Sequence, residues 1–127
     1  MKVTLFTSNK SRHNYLINLL SKSCDQLYVI QECETIFPGI VPGRYNSSTI
    51  MGEYFKKVNK AQYDIFGNSF VNEYNKNIKI LPIQMGDLNN CSLDLLKPFL
   101  ESNYYIVFGS SYIKKDLIEF LINKKAI

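Results

Sequence analysis

The residues that follow the first apolar run could together bind an anion. Ser8 and Ser11 carry hydroxyls, Asn9 carries an amide and Arg12 carries a guanidinium, all in one short segment. A helical pattern starts directly after them, so these groups would lie at a helix N-terminus, where the helix dipole favours negative charge. Ser and Asn are also preferred helix N-cap residues, so simple capping of the helix is the alternative interpretation.

Several other kinds of site lack the residues they need. The segment from Thr7 to Arg12 contains no glycine, so the phosphate cradles of the G-x-G-x-x-G and Walker patterns are missing. No acidic cluster follows the first strand, which argues against a phosphoaccepting receiver domain. His13 is the only histidine, so a Ser/His/Asp triad or a metal site lacks its partners, and we expect His13 to be a surface or capping residue. Three widely spaced cysteines indicate neither a disulfide framework nor a zinc site.

The composition is that of an ordinary globular protein. Of 127 residues, 46% are hydrophobic and 20% are charged. No apolar stretch approaches the roughly 18 residues of a membrane span, and the N-terminus lacks the apolar core of a signal peptide, which predicts a soluble, cytoplasmic protein with no membrane partner. The formal net charge is +4, and the 13 Lys are scattered. A nucleic-acid interface would need them clustered on one face, so nucleic acid is a disfavoured partner, whereas weak attraction of an anionic ligand stays open.

Strand-like and helix-like periods alternate along the chain. The predicted strands are 3–6, 27–30, 78–82 and 104–108, and the last of these is the most apolar. The predicted helices end near Lys22, at Phe66 before Gly67, within a short segment capped by Ser92, and near Ile122. Residues 32–48 contain two Pro and two Gly and are expected to form an irregular loop, while residues 125–127 look like the start of another strand.

This alternation predicts the fold. Strands separated by helix-length segments pair in parallel through right-handed crossovers. We therefore expect a single α/β domain, a three-layer sandwich around a mostly parallel, Rossmann-like twisted sheet. Its strand at 104–108 should be an interior one, beside 3–6 and covered on both faces. Ligands of such sheets bind beyond the carboxyl ends of the strands. Here those ends are the turns that begin at Thr7, Gln31, Pro82 and Gly109.

One stretch resembles a known family. The run Ile106-Val107-Phe108-Gly109-Ser110-Ser111-Tyr112-Ile113-Lys114-Lys115-Asp116-Leu117-Ile118 is similar to the fourth strand, folate loop and helix of the folate-dependent formyltransferases. That group includes glycinamide ribonucleotide, methionyl-tRNA and nucleotide-sugar formyltransferases. The first strand with the leucine pattern after it, and residues 52–67, resemble other elements of the group.

The resemblance implies formyl transfer from 10-formyltetrahydrofolate to a small-molecule amine, such as that of a nucleotide-sugar. The family's loop after the fourth strand lies along the pterin, which assigns Gly109, Ser110, Ser111, Tyr112 and Ile113 to the cofactor pocket. A turn of small residues at a strand end also lets the backbone approach a flat ring closely.

The resemblance also implies where the acceptor binds. Its phosphate or nucleotide would lie near the first turn, which makes that turn the predicted substrate site. The residues concerned are Ser8, Asn9, Ser11 and Arg12.

The family's catalytic Asn-x-His motif and its later Asp would come directly after Ile127. We therefore expect no catalytic residue in this chain, which would be the N-terminal part of a formyltransferase domain that continues beyond Ile127 and would be inactive alone. An unfinished sheet would expose apolar edges, so self-association is expected. Two alternatives stay open. The chain could be a non-enzymatic α/β module that binds a ligand or a partner, or a tRNA-binding fragment of a methionyl-tRNA formyltransferase.

Overall fold

Every residue of the first strand except Lys2 is buried, so this strand lies at the centre of the fold. The computed structural model describes residues 1–34, 49–72 and 75–127. Most of the loop predicted at 32–48 therefore lies outside the described residues. The elements are, in chain order, β1 (Lys2–Ser8), α1 (Ser11–Ser21), β2 (Gln26–Cys33), α2 (Thr49–Phe66), β3 (Ile78–Gln84), α3 (Leu93–Leu96), β4 (Tyr104–Val107) and α4 (Lys115–Asn123).

The four strands form one all-parallel sheet in the order β3-β2-β1-β4. The chain builds outward from β1 to β3 and then crosses back to add β4 on the other side of β1. Leu5 of β1 is therefore paired with Val29 of β2 on one side and with Ile106 of β4 on the other. The direction of construction switches between β1 and β4, which is where open α/β sheets bind ligands. The predicted Rossmann-like α/β fold is confirmed.

Helices cover both faces of the sheet, each over its own apolar cluster. The cluster under α1 consists of Val3, Leu5, Ile17, Leu27 and Val29. The cluster under α3 and α4 consists of Phe6, Ile30, Leu88, Leu96, Leu100, Tyr105, Leu117 and Leu121. Removing each such side chain from water stabilises the fold by about 1.5–3 kcal/mol, so the two clusters hold the three layers together. None of the helices in the described part of the chain is long and apolar enough to cross a bilayer.

β4 lies at one end of this sheet, so the prediction of an interior strand buried on both faces was wrong. Only Tyr105 is buried in β4, whereas Tyr104 is 54% exposed. The outer edge of β4 is paired instead with Ile127, whose N–H donates to Tyr105 O (2.9 Å) and whose C=O accepts from Val107 N–H (2.7 Å). These two bonds are those of a parallel bridge. Burial thus follows position in the sheet, because β1 has a full strand on each side and β4 does not.

Pro82 lies inside β3, not at a strand end as predicted. The ladder between β2 and β3 runs from Leu27 N–H to Asn77 O (2.8 Å) up to Met85 N–H to Cys33 O (3.1 Å). Backbone groups of alternate residues point to opposite edges of a strand, so the odd-numbered residues of β3 bond to β2 and Pro82 faces the free edge. Its missing N–H costs no ladder bond and removes a donor from an exposed edge.

The buried face of α1 is not formed by its leucines. Leu19 is 50% exposed, whereas His13, Ile17 and Ser21 are the buried residues. These three are spaced by four residues and so share one face of the helix. The leucines beside this face are half-buried and pack against the border of the α1 cluster. The positions of the leucines alone therefore do not indicate the centre of the buried face of α1.

α2 ends at Phe66 as predicted, and Gly67 follows it with a φ of +57°. No residue of α2 is buried, and several of its large apolar side chains are exposed, with Tyr54 at 56% and Ile65 at 72%. The helix packs on α1 instead of the sheet, and the Phe66 ring lies 5.5 Å from that of Tyr15.

Candidate ligand-binding site

A cleft of about 640 Å³ opens beyond the carboxyl end of β4. We call it the β4–α4 cleft. Its lining residues are Val107, Gly109, Ser110, Ser111, Tyr112, Ile113, Ile118, Leu121, Ile122 and Ala126. The five loop residues predicted for the cofactor pocket are all among them, and the walls opposite are aliphatic side chains of α4. The volume is that of a small-molecule site, and most of the lining is apolar.

The loop at 109–113 is fixed from below by a buried carboxylate. Glu32, at the end of β2, is fully buried, and its Oε2 accepts from the Ser111 N–H (2.5 Å) while its Oε1 accepts from the Gly86 N–H (3.0 Å). Farther along the loop, Asn89 donates from Nδ2 to Tyr112 O (2.6 Å). One side chain of β2 therefore ties the loops after β3 and β4 together, and the cleft is preformed. Glu32 falls in the segment predicted as an irregular loop, whereas β2 continues to Cys33 and carries Glu32 into the sheet.

In the turn after β1, the side chains of Ser8 and Asn9 are engaged by other residues of the protein. Ser8 is buried, and its Oγ lies 2.6 Å from His13 Nδ1. Asn9 Oδ1 accepts from the Glu34 N–H (3.4 Å). Ser11 and Arg12 are half-buried. The N-cap position of α1 is taken by Lys10 with no side-chain cap, so the predicted capping by Ser or Asn does not occur.

The predicted surface or capping position of His13 was wrong, and this error has the largest consequence for the site. It is 1% exposed, not a surface or capping residue, and its ring packs edge-on against Phe108 at 5.4 Å between centroids. Arg12 Nε–H donates to its Nε2 (3.2 Å), so Nδ1 carries the proton and donates to Ser8 Oγ. The signal in the sequence was its place four residues before Ile17, which puts it on the buried face of α1.

The His13 ring occupies the space that a side chain at position 109 would need. A Cβ built on Gly109 would lie 2.3 Å from His13 Nε2, and the φ of Gly109 is +72°. Both the space and the backbone conformation therefore require glycine. The imidazole fills the gap between the carboxyl ends of β1 and β4, so it joins the two predicted sites, the first turn and the loop at 109–113, into one end of the sheet.

Electrostatics keep His13 neutral. Burial, followed by the nearby positive charges of Arg12 and Lys10, lowers the pKa of His13 from 6.5 to about 4, and the Glu34 carboxylate opposes this only in part. Among the described residues that line the β4–α4 cleft, Tyr112 is the only ionisable one. In the described ranges, no cluster of His, Cys, Asp or Glu side chains could hold a metal ion. The mostly apolar lining of the cleft suits an apolar group of a ligand.

Comparisons with family models, with curated proteins and with solved structures find no match to this chain.

Proposed function

We propose that this chain binds a reduced folate in the β4–α4 cleft, as the cofactor-binding part of a 10-formyltetrahydrofolate-dependent formyltransferase. One observation carries the proposal. The loop at 109–113, which resembles the family's folate loop, lines a cleft beyond the carboxyl end of β4, the end of the strands at which parallel α/β sheets bind ligands.

The chemistry of the cleft fits a flat ring with a polar edge. Ile113, Ile118 and Ile122 provide apolar walls against which a ring can lie. Ser111 N–H is already bonded to Glu32, so the polar edge of the ring would meet the backbone of Gly109 and Ser110. When bound, 10-formyltetrahydrofolate supplies the formyl group.

The described residues support binding rather than catalysis. Within the cleft, no lining residue except Tyr112 can exchange a proton, and a general base must lie within hydrogen-bond reach of the proton it removes. His13 is adjacent but buried, with both ring nitrogens engaged by Ser8 and Arg12. We therefore expect no formyl transfer by this chain alone.

We place the anionic group of the acceptor at the first turn, with fewer binding residues than the four predicted from the sequence. Ser8 is buried against His13 and Asn9 is bonded to Glu34, so neither presents its side chain freely. Ser11 and Arg12 are the half-buried residues of the predicted set that start α1, and they are the part of the turn that suits a phosphate.

A matched pair of variants tests the folate proposal. Ile122 lines the cleft and is 68% exposed, whereas Ile65 on α2 is 72% exposed and lies outside it. Both can become Asp with little cost to folding. We expect Ile122→Asp to weaken binding of 5-formyltetrahydrofolate, measured by calorimetry, by about tenfold or more, because it places a charge against an apolar wall. Ile65→Asp should bind like the unmodified chain. Absence of saturable binding, or equal weakening by both variants, contradicts the proposal.

The non-enzymatic module is the second candidate, and the lack of acid–base groups in the cleft favours it. It differs from the first in its ligand. If the cleft takes up an apolar fluorescent probe that 5-formyltetrahydrofolate does not displace, the module is the better description.

A further inference from the structure

A second pocket, of about 560 Å³, lies on the opposite face of the sheet, between the carboxyl end of β2 and the first residues of β3. We call it the amide pocket, because side-chain amides provide most of its polar lining and none of the described residues that line it is charged. Its apolar wall is formed by Phe70, Val71, Ile78 and Ile80. Asn9, at its border, is the only residue it shares with the predicted sites, so it is distinct from the β4–α4 cleft.

Gln31 is the central polar residue of this pocket. It is 7% exposed, and its Nε2 donates one hydrogen to Ser8 O (3.2 Å) and the other to Asn14 Oδ1 (3.0 Å). Both partners are acceptors, so the orientation of the amide is fixed. Its Oε1 accepts no hydrogen bond from any residue that the structure describes. Because the two hydrogen bonds of this amide both come from its nitrogen, its oxygen is available to accept from a ligand N–H.

The rest of the pocket is held in place for such a contact. Asn14 donates to Asn9 O (3.3 Å) and to Ser69 O (2.9 Å), so the Gln31–Asn14 pair is rigid. Asn75 donates from Nδ2 to Ser21 Oγ (2.9 Å), which leaves its Oδ1 as a second acceptor in the lining. The described part of the pocket thus offers oriented acceptors to hydrogen-bond donors.

Phe70 completes the recognition chemistry. Its side chain is 77% exposed although it borders the pocket, where its ring can lie against a flat ligand. Aromatic rings stack on nucleobases in a way that tolerates any base, while hydrogen bonds to the base edge select among them. Acceptor oxygens select a base with an exocyclic amino group.

From this geometry we infer that the amide pocket binds an amino-substituted nucleobase of a small nucleoside or nucleotide, with the amino group on Gln31 Oε1 and the ring against Phe70. The inference does not depend on folate binding, because the two pockets lie on opposite faces of the sheet.

Titration of the full chain with adenosine and with cytidine, followed by NMR, tests the inference. Saturable shifts should appear first at the side-chain amides of Gln31 and Asn75. Purine riboside, which lacks the 6-amino group of adenosine, should bind about tenfold more weakly, the equivalent of one hydrogen bond. Equal affinity of the two purines, or no saturable binding of either adenosine or cytidine, would overturn the inference.

A matched pair of aromatic variants avoids the risk of unfolding that a change at Gln31 carries. Phe70→Ala should weaken adenosine binding about tenfold, whereas Tyr54→Ala, which removes an exposed aromatic side chain on α2, should not change it. Identical affinities for both variants contradict the assignment. An oligoadenylate that binds far more tightly than adenosine would assign the pocket to nucleic acid and overturn the small-molecule inference. Shifts centred on 109–113 would place adenosine in the β4–α4 cleft instead.

Discussion

The turn after β1 and the loop after β4 have similar positions in the sheet but differ in how far their side chains are buried. Both contain small polar residues and lie at the carboxyl ends of neighbouring parallel strands. In the first, Ser8 is buried and bonded to His13, whereas in the second, Tyr112 is 90% exposed and the loop borders an open cleft. Residue type does not decide which polar segment is available to a ligand. Availability depends on which residues the fold packs against each segment.

His13 and Gly109 are where the two segments meet, and the largest effect is expected there. Gly109→Ala should destabilise the chain by about 2–5 kcal/mol, because a Cβ collides with His13 Nε2 and the φ of +72° disfavours an L-residue. Urea denaturation measures the loss. In a His13→Ala background the collision is relieved, so the same change should cost only about 1–2 kcal/mol. A loss that is identical in both backgrounds would mean that the two residues do not share this space.

The buried carboxylate under the second loop is the next largest test. Glu32→Gln should cost about 2–3 kcal/mol, because one of two backbone N–H groups would face an amide NH₂ in place of an acceptor. Hydrogen exchange at Ser111 and Gly86 should accelerate. Glu101→Gln, at an exposed position, is the control and should change neither. Unchanged exchange at Ser111 would show that the loop does not depend on Glu32.

The neutral imidazole makes the first segment sensitive to acid. Since the pKa of His13 is lowered to about 4 in the folded state, the unfolded chain binds the proton more readily, and stability falls as the pH drops through the window from 6.5 to about 4. Between about pH 7 and about pH 5 the loss due to His13 should be about 2 kcal/mol. It is measured as the difference in urea stability curves between the unmodified chain and His13→Gln. Parallel pH profiles for the two proteins would show that His13 is not the group responsible.

The smallest effect compares one serine from each segment. Ser8→Ala should cost about 1–2 kcal/mol, because it leaves the buried Nδ1–H of His13 without an acceptor. Ser110→Ala, in the open loop, should cost less than about 0.5 kcal/mol. Thermal or urea unfolding of the two variants measures the loss in the free energy of unfolding. Equal losses would contradict the difference in burial between the two segments.

The locally determined features were predictable from sequence. The order of strands and helices follows from hydrophobic periods, and the end of α2 at Gly67 follows from the ease with which glycine adopts a positive φ. Ser92 caps α3 as predicted, since its Oγ accepts from the Leu95 N–H (3.2 Å). These features depend on residues within about four positions of one another.

The candidate sites were predictable only as segments. The loop at 109–113 could be located because it follows a strand, but its support by Glu32 joins residues 79 positions apart. Asn9 and Gln31 illustrate the same limit, because their partners lie in other elements. Periodicity says nothing about contacts at such separations.

The parallel α/β class follows from the amino-acid sequence alone, because alternating periods of two and 3.6 residues leave few other ways to bury both strand faces. The central position of β1, and not of the more apolar β4, follows from the folded sheet, since it depends on how many strands lie alongside each strand and not on composition. The tertiary structure also decided that His13 is buried and Tyr112 is open. Desolvation, packing and hydrogen-bond satisfaction depend on the whole set of neighbours, and that set exists only once the chain is folded.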